Sequence, residues 1–212
     1  MPGRAMEQRS HARGFSLLEL MVVLTLIAIL ALLAAPSMAG WMRNQRIRGT
    51  TEALLSGLQT AREEAIRRNR PASFWLVTNL TDGCAPSSAS GTWVVSLNAP
   101  DGACNAAPSA TDDPLLVASQ AAQAQGGVDV QAFDKDNSVA SEVRFDGYGR
   151  IAATGLGGGS PIARIEVRDP ADAANDDATT HTYRSLRVQI QGTGAIRLCD
   201  PRITTTGDTR AC

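Results

Sequence analysis

Apolar residues first form one long run near the amino terminus. No charged residue occurs between Leu20 and Met42, and Thr25 is the one polar residue from Leu20 to Ala35. A membrane-spanning helix needs about 20 apolar residues at a rise of about 1.5 Å each, so residues 15–42 are predicted to form a transmembrane helix. Three arginines before the run predict that its amino end faces the cytoplasm: Arg4, Arg9 and Arg13.

A narrower apolar pattern follows within residues 51–69. Four apolar residues recur there at intervals of four, three and four: Leu54, Leu58, Ala61 and Ala65. This spacing predicts a helix with one apolar stripe, which ends before Pro71 because the residue preceding a proline avoids helical torsion angles. Two i,i+4 ion pairs are predicted on its exposed side: Glu63 with Arg67, and Glu64 with Arg68.

After Pro71 the pattern changes to short segments rich in valine, isoleucine, leucine and aromatic residues, which predict strands. Eight strands are predicted: 73–78, 92–97, 115–119, 128–133, 142–145, 164–168, 183–191 and 195–199. Asp146-Gly147 and Gly192-Thr193-Gly194 are predicted hairpin turns. One long helix, half membrane-spanning and half amphipathic, followed by strands predicts an α+β fold in which the helix packs on a mostly antiparallel sheet domain.

Two regions are predicted to be loops because they are rich in alanine, serine, aspartate, proline and glycine: 81–91 together with 98–114, and 170–180. The segment Gly155 to Ser160 has the glycine content of a phosphate-binding loop. It lacks the lysine and the strand-to-helix setting of such loops, so it is predicted to be a flexible turn.

Three other interpretations compete for the amino-terminal run. It could be a secretory signal with Ser37-Met38-Ala39 as its cleavage site, a plain membrane anchor, or a buried helix of a soluble protein. The run is long for the first and the third interpretation. Neither of the first two accounts for Glu19, because an ionised carboxylate in lipid is costly and requires a partner or a function.

The segment Gly14-Phe15-Ser16-Leu17-Leu18-Glu19-Leu20 resembles the processing signal of type IV pilins and of type II secretion pseudopilins. Residues 55–69 resemble the GspH/FimT subfamily of these proteins. The resemblance implies that prepilin peptidase removes residues 1–14 by cutting between Gly14 and Phe15, and that the new amino terminus of Phe15 is methylated. It also implies that Glu19 neutralises that amine during assembly.

The resemblance therefore implies a minor pilin or pseudopilin, assembled with other pilins into a type IV pilus or a type II secretion pseudopilus. It places residues 15–42 in the lipid of the inner membrane as a single span, and residues 43–212 in the periplasm as a pilin-like domain. An amine at Phe15 and a carboxylate at Glu19 are each costly in a low-dielectric medium. Pairing between neighbouring subunits removes much of that cost.

Four cysteines follow the apolar run: Cys84, Cys104, Cys199 and Cys212. In an oxidising periplasm they are predicted to form two disulfides, for which three pairings are possible. Pairing Cys84 with Cys104 and Cys199 with Cys212 is the simplest, because each bond closes a short polar loop. A zinc site is the alternative, but the spacings do not fit one and His181 stands alone.

Composition excludes several function classes. The formal net charge of −1 does not indicate a polyanionic partner for the whole chain, and aromatic residues are only 4%, too few for a stacking platform for single strands. His181 is the one histidine after the leader, and no nucleophile motif or metal constellation surrounds it. We therefore predict no catalytic residue, no cofactor, no metal and no small-molecule substrate.

The carboxy-terminal segment indicates DNA as a further partner. Three of its arginines lie in or beside the loop between Cys199 and Cys212: Arg197, Arg202 and Arg210. FimT-like minor pilins of natural transformation carry a Gly-Arg-x-Arg motif tied to DNA binding. The segment Gly194-Ala195-Ile196-Arg197 resembles it, with Ala195 in place of the first arginine. Contact with phosphates through these arginines is the alternative function; local pairing with Asp200 and Asp208 is the competing interpretation.

Overall fold

A computed structural model describes residues 15–122, 127–172 and 184–212, without the side chains of 32–37 and 39. The predicted leader, including Gly14, lies outside the described residues, and so does His181. The chain divides into two units, Met1–Gly40 and Trp41–Cys212. Helix α1 (Leu17–Arg68) contributes to both, and all strands belong to the second unit.

Eight strands form two sheets of four within the described residues. The first sheet has the order β3-β2-β1-β5, and the second has the order β4-β6-β7-β8. The strands are β1 (Ala72–Leu76), β2 (Trp93–Ser96), β3 (Leu116–Gln120), β4 (Asp129–Phe133), β5 (Glu142–Phe145), β6 (Arg164–Arg168), β7 (Leu186–Ile190) and β8 (Ile196–Cys199). Every pairing between these strands is antiparallel, which confirms the predicted α+β class.

The predicted apolar stripe of the helix faces the core of the second unit. Leu54, Leu58, Ala61 and Ala65 are all fully buried. The stripe continues towards the amino end through Thr51 and Ile47, where the Thr51 hydroxyl donates a 2.7 Å hydrogen bond to the Ile47 carbonyl. Both sheets contribute to the same core, with Phe74 of the first sheet and Val188 of the second among its buried members.

One predicted ion pair on the helix is wrong. Arg67 pairs with Glu64 at 2.5 Å instead of with Glu63, and Arg68 pairs with the same carboxylate. Glu64 is buried rather than exposed, because it lies three positions after Ala61 and beside Ala65 on the stripe. Burial raises the pKa of Glu64, but hydrogen bonds from Arg67 and Arg68 outweigh it and hold that pKa below its ordinary value.

The outer face of the first sheet is covered by a loop for which the sequence predicted no regular structure. Trp75, Val94 and Leu116 form a second buried cluster with a disulfide that joins Cys84 to Cys104. Strand β1 is therefore buried on both faces. The short-loop pairing of the cysteines is the one present in the structure. Of the other predicted loop, Pro170–Asp172 forms a 3-10 turn and residues 173–180 lie outside the described part.

The glycine-rich turn does bind an anion, but the anion belongs to the chain itself. The backbone amides of Leu156 and Gly157 donate to the carboxylate of Glu142 at 2.9 and 3.1 Å, and the Ser73 hydroxyl donates to it at 2.8 Å. Glu142 is buried. A side chain at Gly155 would overlap this carboxylate, which explains a glycine there.

Candidate functional site

The first turn of helix α1 is built around Ser16 and Glu19. The Glu19 backbone amide donates a 3.1 Å hydrogen bond to the Ser16 hydroxyl, and the Leu20 amide donates to the Ser16 carbonyl at 3.1 Å. Ser16 is thus the helix N-cap and Glu19 the third helical residue, the sequence pattern of a capping box. The Glu19 carboxylate also lies at the positive end of the helix dipole. Phe15 precedes the cap and is 83% exposed.

The helix is apolar on all sides after this turn. Every large apolar side chain from residue 17 to residue 30 is between 46 and 78% exposed: Leu17, Leu18, Leu20, Met21, Val22, Val23, Leu24, Leu26, Ile27, Ile29 and Leu30. Such a surface requires a covering apolar phase, because a helix that is hydrophobic all round is stable only when it is surrounded.

Among the described residues, no helix has the length and hydropathy required to cross a membrane. The side chains of residues 32–37, which belong to the predicted span, lie outside the description.

The carboxy-terminal loop is closed by a disulfide between Cys199 and Cys212. The Asp200 amide also donates to the Arg210 carbonyl at 2.7 Å, so the two ends of the loop run side by side. The loop begins at the end of β8 and therefore extends from the edge of the second sheet. Its arginines are brought near one another by these two links.

Each of the three arginines predicted to contact DNA has a hydrogen-bond or ion-pair partner within the chain. Arg197 donates to the Ala211 carbonyl at 2.5 Å, and Arg210 pairs with Asp208 at 2.8 Å. Arg202 lies 3.5 Å from the buried carboxylate of Asp200. A phosphate must therefore compete with these acceptors. The side chain of Arg210, at 71% exposure, is the more open of the two ion-paired arginines.

The Arg210–Asp208 pair gives a measurable pH signature. The side-chain hydrogen bond from Arg210, with a backbone hydrogen bond from the same residue, lowers the pKa of Asp208 to about 2. A depressed folded-state pKa stabilises the fold above the ordinary value near 3.8, and this contribution disappears as the pH falls towards 2. We expect NMR titration to give a pKa near 2 for Asp208, and Arg210→Gln to return it towards 3.8.

Arg202→Gln is the control for that titration, because Arg202 pairs with Asp200 and not with Asp208. A normal Asp208 pKa in the unmodified chain would mean that Arg210 is not held by this carboxylate in solution.

Gly194, the glycine of the carboxy-terminal motif, has a packing role. It occupies the hairpin between β7 and β8 with φ of 81°, and a Cβ there would overlap the backbone carbonyl oxygen of Gly149. That same oxygen accepts a 3.1 Å hydrogen bond from Arg62 of helix α1. The glycine is thus required where the hairpin meets the turn after β5 and the helix.

Two features of the structure were not predicted from the sequence. One is the N-cap role of Ser16, although the Ser-x-x-Glu spacing that signals it is local and readable. The other is a charged groove on the outer face of the second sheet. Its signal is the alternation Arg164-Ile165-Glu166-Val167-Arg168, which places three charged side chains on one face of a strand.

Comparison with known families gives two matches. A family model described as type II transport protein GspH matches residues 50–194. A model described as the prokaryotic N-terminal methylation motif matches residues 9–35, which include Gly14, Phe15 and Glu19. Together the two models extend from the predicted leader to the β7–β8 hairpin.

A curated protein is similar to part of the chain. Type II secretion system protein H of Xanthomonas campestris pv. campestris is 36% identical over 66 residues, which are 31% of this chain and 39% of that protein. The chain thus matches about two fifths of the length of this curated relative.

Solved structures of two proteins illustrate the similarity in fold. The crystal structure of type IV minor pilin FimU of Pseudomonas aeruginosa is 12% identical, with a TM-score of 0.45, over 75% of this chain and 97% of that chain. The solution structure of E. coli GspH is 15% identical, with a TM-score of 0.39, over 76% of this chain and 92% of that chain.

Proposed function

Because the chain belongs to the family of type II transport protein GspH and carries the N-terminal methylation motif, we propose that it assembles as a minor pilin or pseudopilin subunit. The filament is a type IV pilus or a type II secretion pseudopilus. The family is one of structural subunits and not of enzymes, so no catalytic role is assigned.

The observation that carries this proposal is the exposed apolar surface from Leu17 to Leu30. Before assembly, inner-membrane lipid covers it, with residues 15–42 as the anchor and residues 43–212 in the periplasm. After assembly, the same surface packs against the helices of neighbouring subunits. One apolar helix serves both states because dispersion contacts with lipid and with other helices are similar in kind.

The chemistry of the first turn supports a defined register between subunits. Prepilin peptidase cleavage after Gly14 leaves a charged amine at Phe15, and methylation retains its positive charge. Glu19 supplies the one negative charge within the apolar surface, and it lies one helical turn from that amine. In an apolar bundle, the Glu19 carboxylate of an entering subunit is stabilised when it meets the amine of its neighbour. Filament incorporation of variants at Glu19 tests this proposal.

A second function is DNA contact through Arg197, Arg202 and Arg210 during DNA uptake. The disulfide-closed loop supports it, because it collects these arginines at the edge of the second sheet. Their contacts with Asp200, Asp208 and the Ala211 carbonyl limit DNA binding, because a phosphate must replace them.

A salt series with the full chain in detergent measures this second function. Each phosphate contact contributes about 0.9 to the slope of log affinity against log salt concentration. Replacement of the three arginines by glutamine is therefore expected to lower that slope by about 3 if all of them bind phosphates. The matched control replaces three exposed basic residues elsewhere with the same change in net charge: Arg48, Lys135 and Arg150. Equal slopes for the two triple variants would contradict DNA contact at this loop.

A further inference from the structure

A groove of about 420 Å³ lies on the outer face of the second sheet, and its lining residues do not include Arg197, Arg202 or Arg210. Along β6, Ile165 and Val167 point into the core, so the residues between and beside them face outwards. The strand register places Arg187 of β7 opposite Glu166, and Phe133 of β4 opposite Arg164. These side chains line the groove together with Ser185 and Pro201.

Cations outnumber anions at the centre of this groove. A single oxygen of Glu166 accepts hydrogen bonds from Arg164 at 3.1 Å and from Arg187 at 2.8 Å. Arg164 also lies over the Phe133 ring, 4.4 Å from its centroid, which holds the guanidinium in place. One carboxylate therefore neutralises two guanidinium groups, and an excess positive charge remains in a partly buried site.

Two donors in the groove have no acceptor within the described part of the chain. They are the Nε of Arg187 and the hydroxyl of Ser185, and both atoms are buried. Ser185 as a whole is only 4% exposed. Buried polar groups in folded proteins are almost always hydrogen-bonded, so an unpaired hydroxyl beside an unpaired guanidinium nitrogen points to a ligand with acceptor oxygens.

We propose that this groove binds a phosphate group. Guanidinium groups match the oxygens of phosphate in geometry as well as charge, and the hydroxyl of Ser185 supplies a third donor. A phosphate carries three or four acceptor oxygens, which is enough for Arg187, Ser185 and Arg164 together while Glu166 stays in place. The site uses none of Arg197, Arg202 and Arg210, and it does not depend on the filament function.

Phosphate binding is measured by NMR on the full chain in detergent micelles, with inorganic phosphate titrated at constant ionic strength. The signals followed are the backbone amides of residues 184–188 and the Nε–H of Arg187. Acetate at the same ionic strength serves as the carboxylate probe. Preference for phosphate over acetate is expected, and equal affinities would overturn the assignment to phosphate.

Loss of a positive charge and loss of the negative charge in the groove are expected to change phosphate affinity in opposite directions. Arg187→Gln is expected to weaken phosphate binding by about tenfold or more, because it removes a charge-assisted donor. Ser185→Ala weakens it less. Glu166→Gln is expected to strengthen binding several-fold, because both guanidinium groups then lose their competing carboxylate. Arg150→Gln is the control, since Arg150 pairs with Asp146 on a different turn.

Glu166→Gln keeps the proposal testable if Arg187→Gln does not fold, because it preserves side-chain volume. The proposal would be overturned if phosphate did not shift the NMR signals of the unmodified chain, or if Glu166→Gln left the phosphate affinity unchanged. A short oligonucleotide added in competition identifies the source of the phosphate. Displacement that depends on Arg187 assigns the site to a nucleic-acid backbone, and phosphate binding without displacement assigns it to a small phosphate compound. Both results support the site.

Discussion

Replacement of Gly194 by alanine is expected to lower the free energy of unfolding by about 2 to 5 kcal/mol. Two costs add at this position. The backbone has φ of 81°, a left-handed conformation that alanine adopts at a cost of about 1 to 2 kcal/mol. The added Cβ would also overlap the carbonyl oxygen of Gly149, so backbone on one side must move.

Movement of that backbone disturbs three elements at once. The Gly149 carbonyl accepts the hydrogen bond from Arg62 of the helix, and the Gly149 amide donates to the Asp146 carbonyl at 2.8 Å. Two residues later, the Ile151 amide donates to the Gly192 carbonyl at 3.2 Å, which joins the turn after β5 to the β7–β8 hairpin. The helix and both sheets therefore meet at Gly149 and Gly194.

Gly192→Ala is the matched control, since Gly192 lies in the same hairpin without a left-handed torsion angle, and a Cβ added to it would have no neighbouring atom within 4 Å. Denaturant unfolding with the disulfides intact measures both variants, and Gly192→Ala is expected to change the free energy of unfolding by less than about 1 kcal/mol. Equal effects of the two substitutions would contradict the packing role of Gly194.

The helix stripe and the strands were predictable because their signals are local. The four-three-four spacing of Leu54, Leu58, Ala61 and Ala65 follows directly from helical geometry, and all four are buried as expected. The strands were recognisable from short runs of β-branched and aromatic residues. Their division into two sheets was not, because pairing depends on contacts between segments far apart in the chain.

The polar interior was the least predictable part. Glu64 was expected at the surface because charged helix residues usually face water, yet it is buried between two arginines that compensate its desolvation. The glycine-rich segment forms a turn, as predicted, but its partner, Glu142, could not be identified by spacing. The donors that compensate burial of Glu142 lie 14, 15 and 69 residues away in the chain, so no local pattern indicates them.

The candidate sites also differ in how far the sequence alone predicts them. The features of Phe15 and Glu19 belong to one continuous motif and are readable without a structure. The groove around Arg187 and Glu166 combines strands whose register no local pattern specifies. For the carboxy-terminal arginines, sequence supplied both the DNA interpretation and the competing pairs, and the structure contains the pairs with Asp200 and Asp208.

The second large effect is expected at Glu19. Glu19→Gln should leave leader processing and membrane insertion largely intact but reduce filament incorporation to background, because the subunit loses the charge that neutralises its neighbour's amine. Glutamine is accepted at the third position of a capping box, so the substitution preserves the local helix start. Its effect therefore reports on charge and not on helix formation. Glu19→Ala, which removes the whole carboxyl group and keeps the backbone amide bonded to Ser16, is expected to fail in the same way.

Ser16→Ala is the complementary variant, since it removes the hydroxyl that caps the helix and retains the carboxylate. Loss of an N-cap costs about 1 kcal/mol, which is enough to loosen the first turn but not to remove the interaction between subunits. We expect this variant to be processed and incorporated at a reduced but readily detected level. Incorporation of Glu19→Gln together with failure of Ser16→Ala would assign the first turn a purely structural role.

The most direct measurement is mass spectrometry of the amino-terminal peptide in purified filaments and in membranes from the same cells, for the unmodified chain and for Glu19→Gln. We expect a peptide that begins with methylated Phe15 in both fractions of the unmodified chain. For Glu19→Gln we expect the same processed peptide in membranes and none in filaments. Processed Glu19→Gln protein in filaments at the unmodified level would contradict the proposed pairing and, with it, the assembly mechanism.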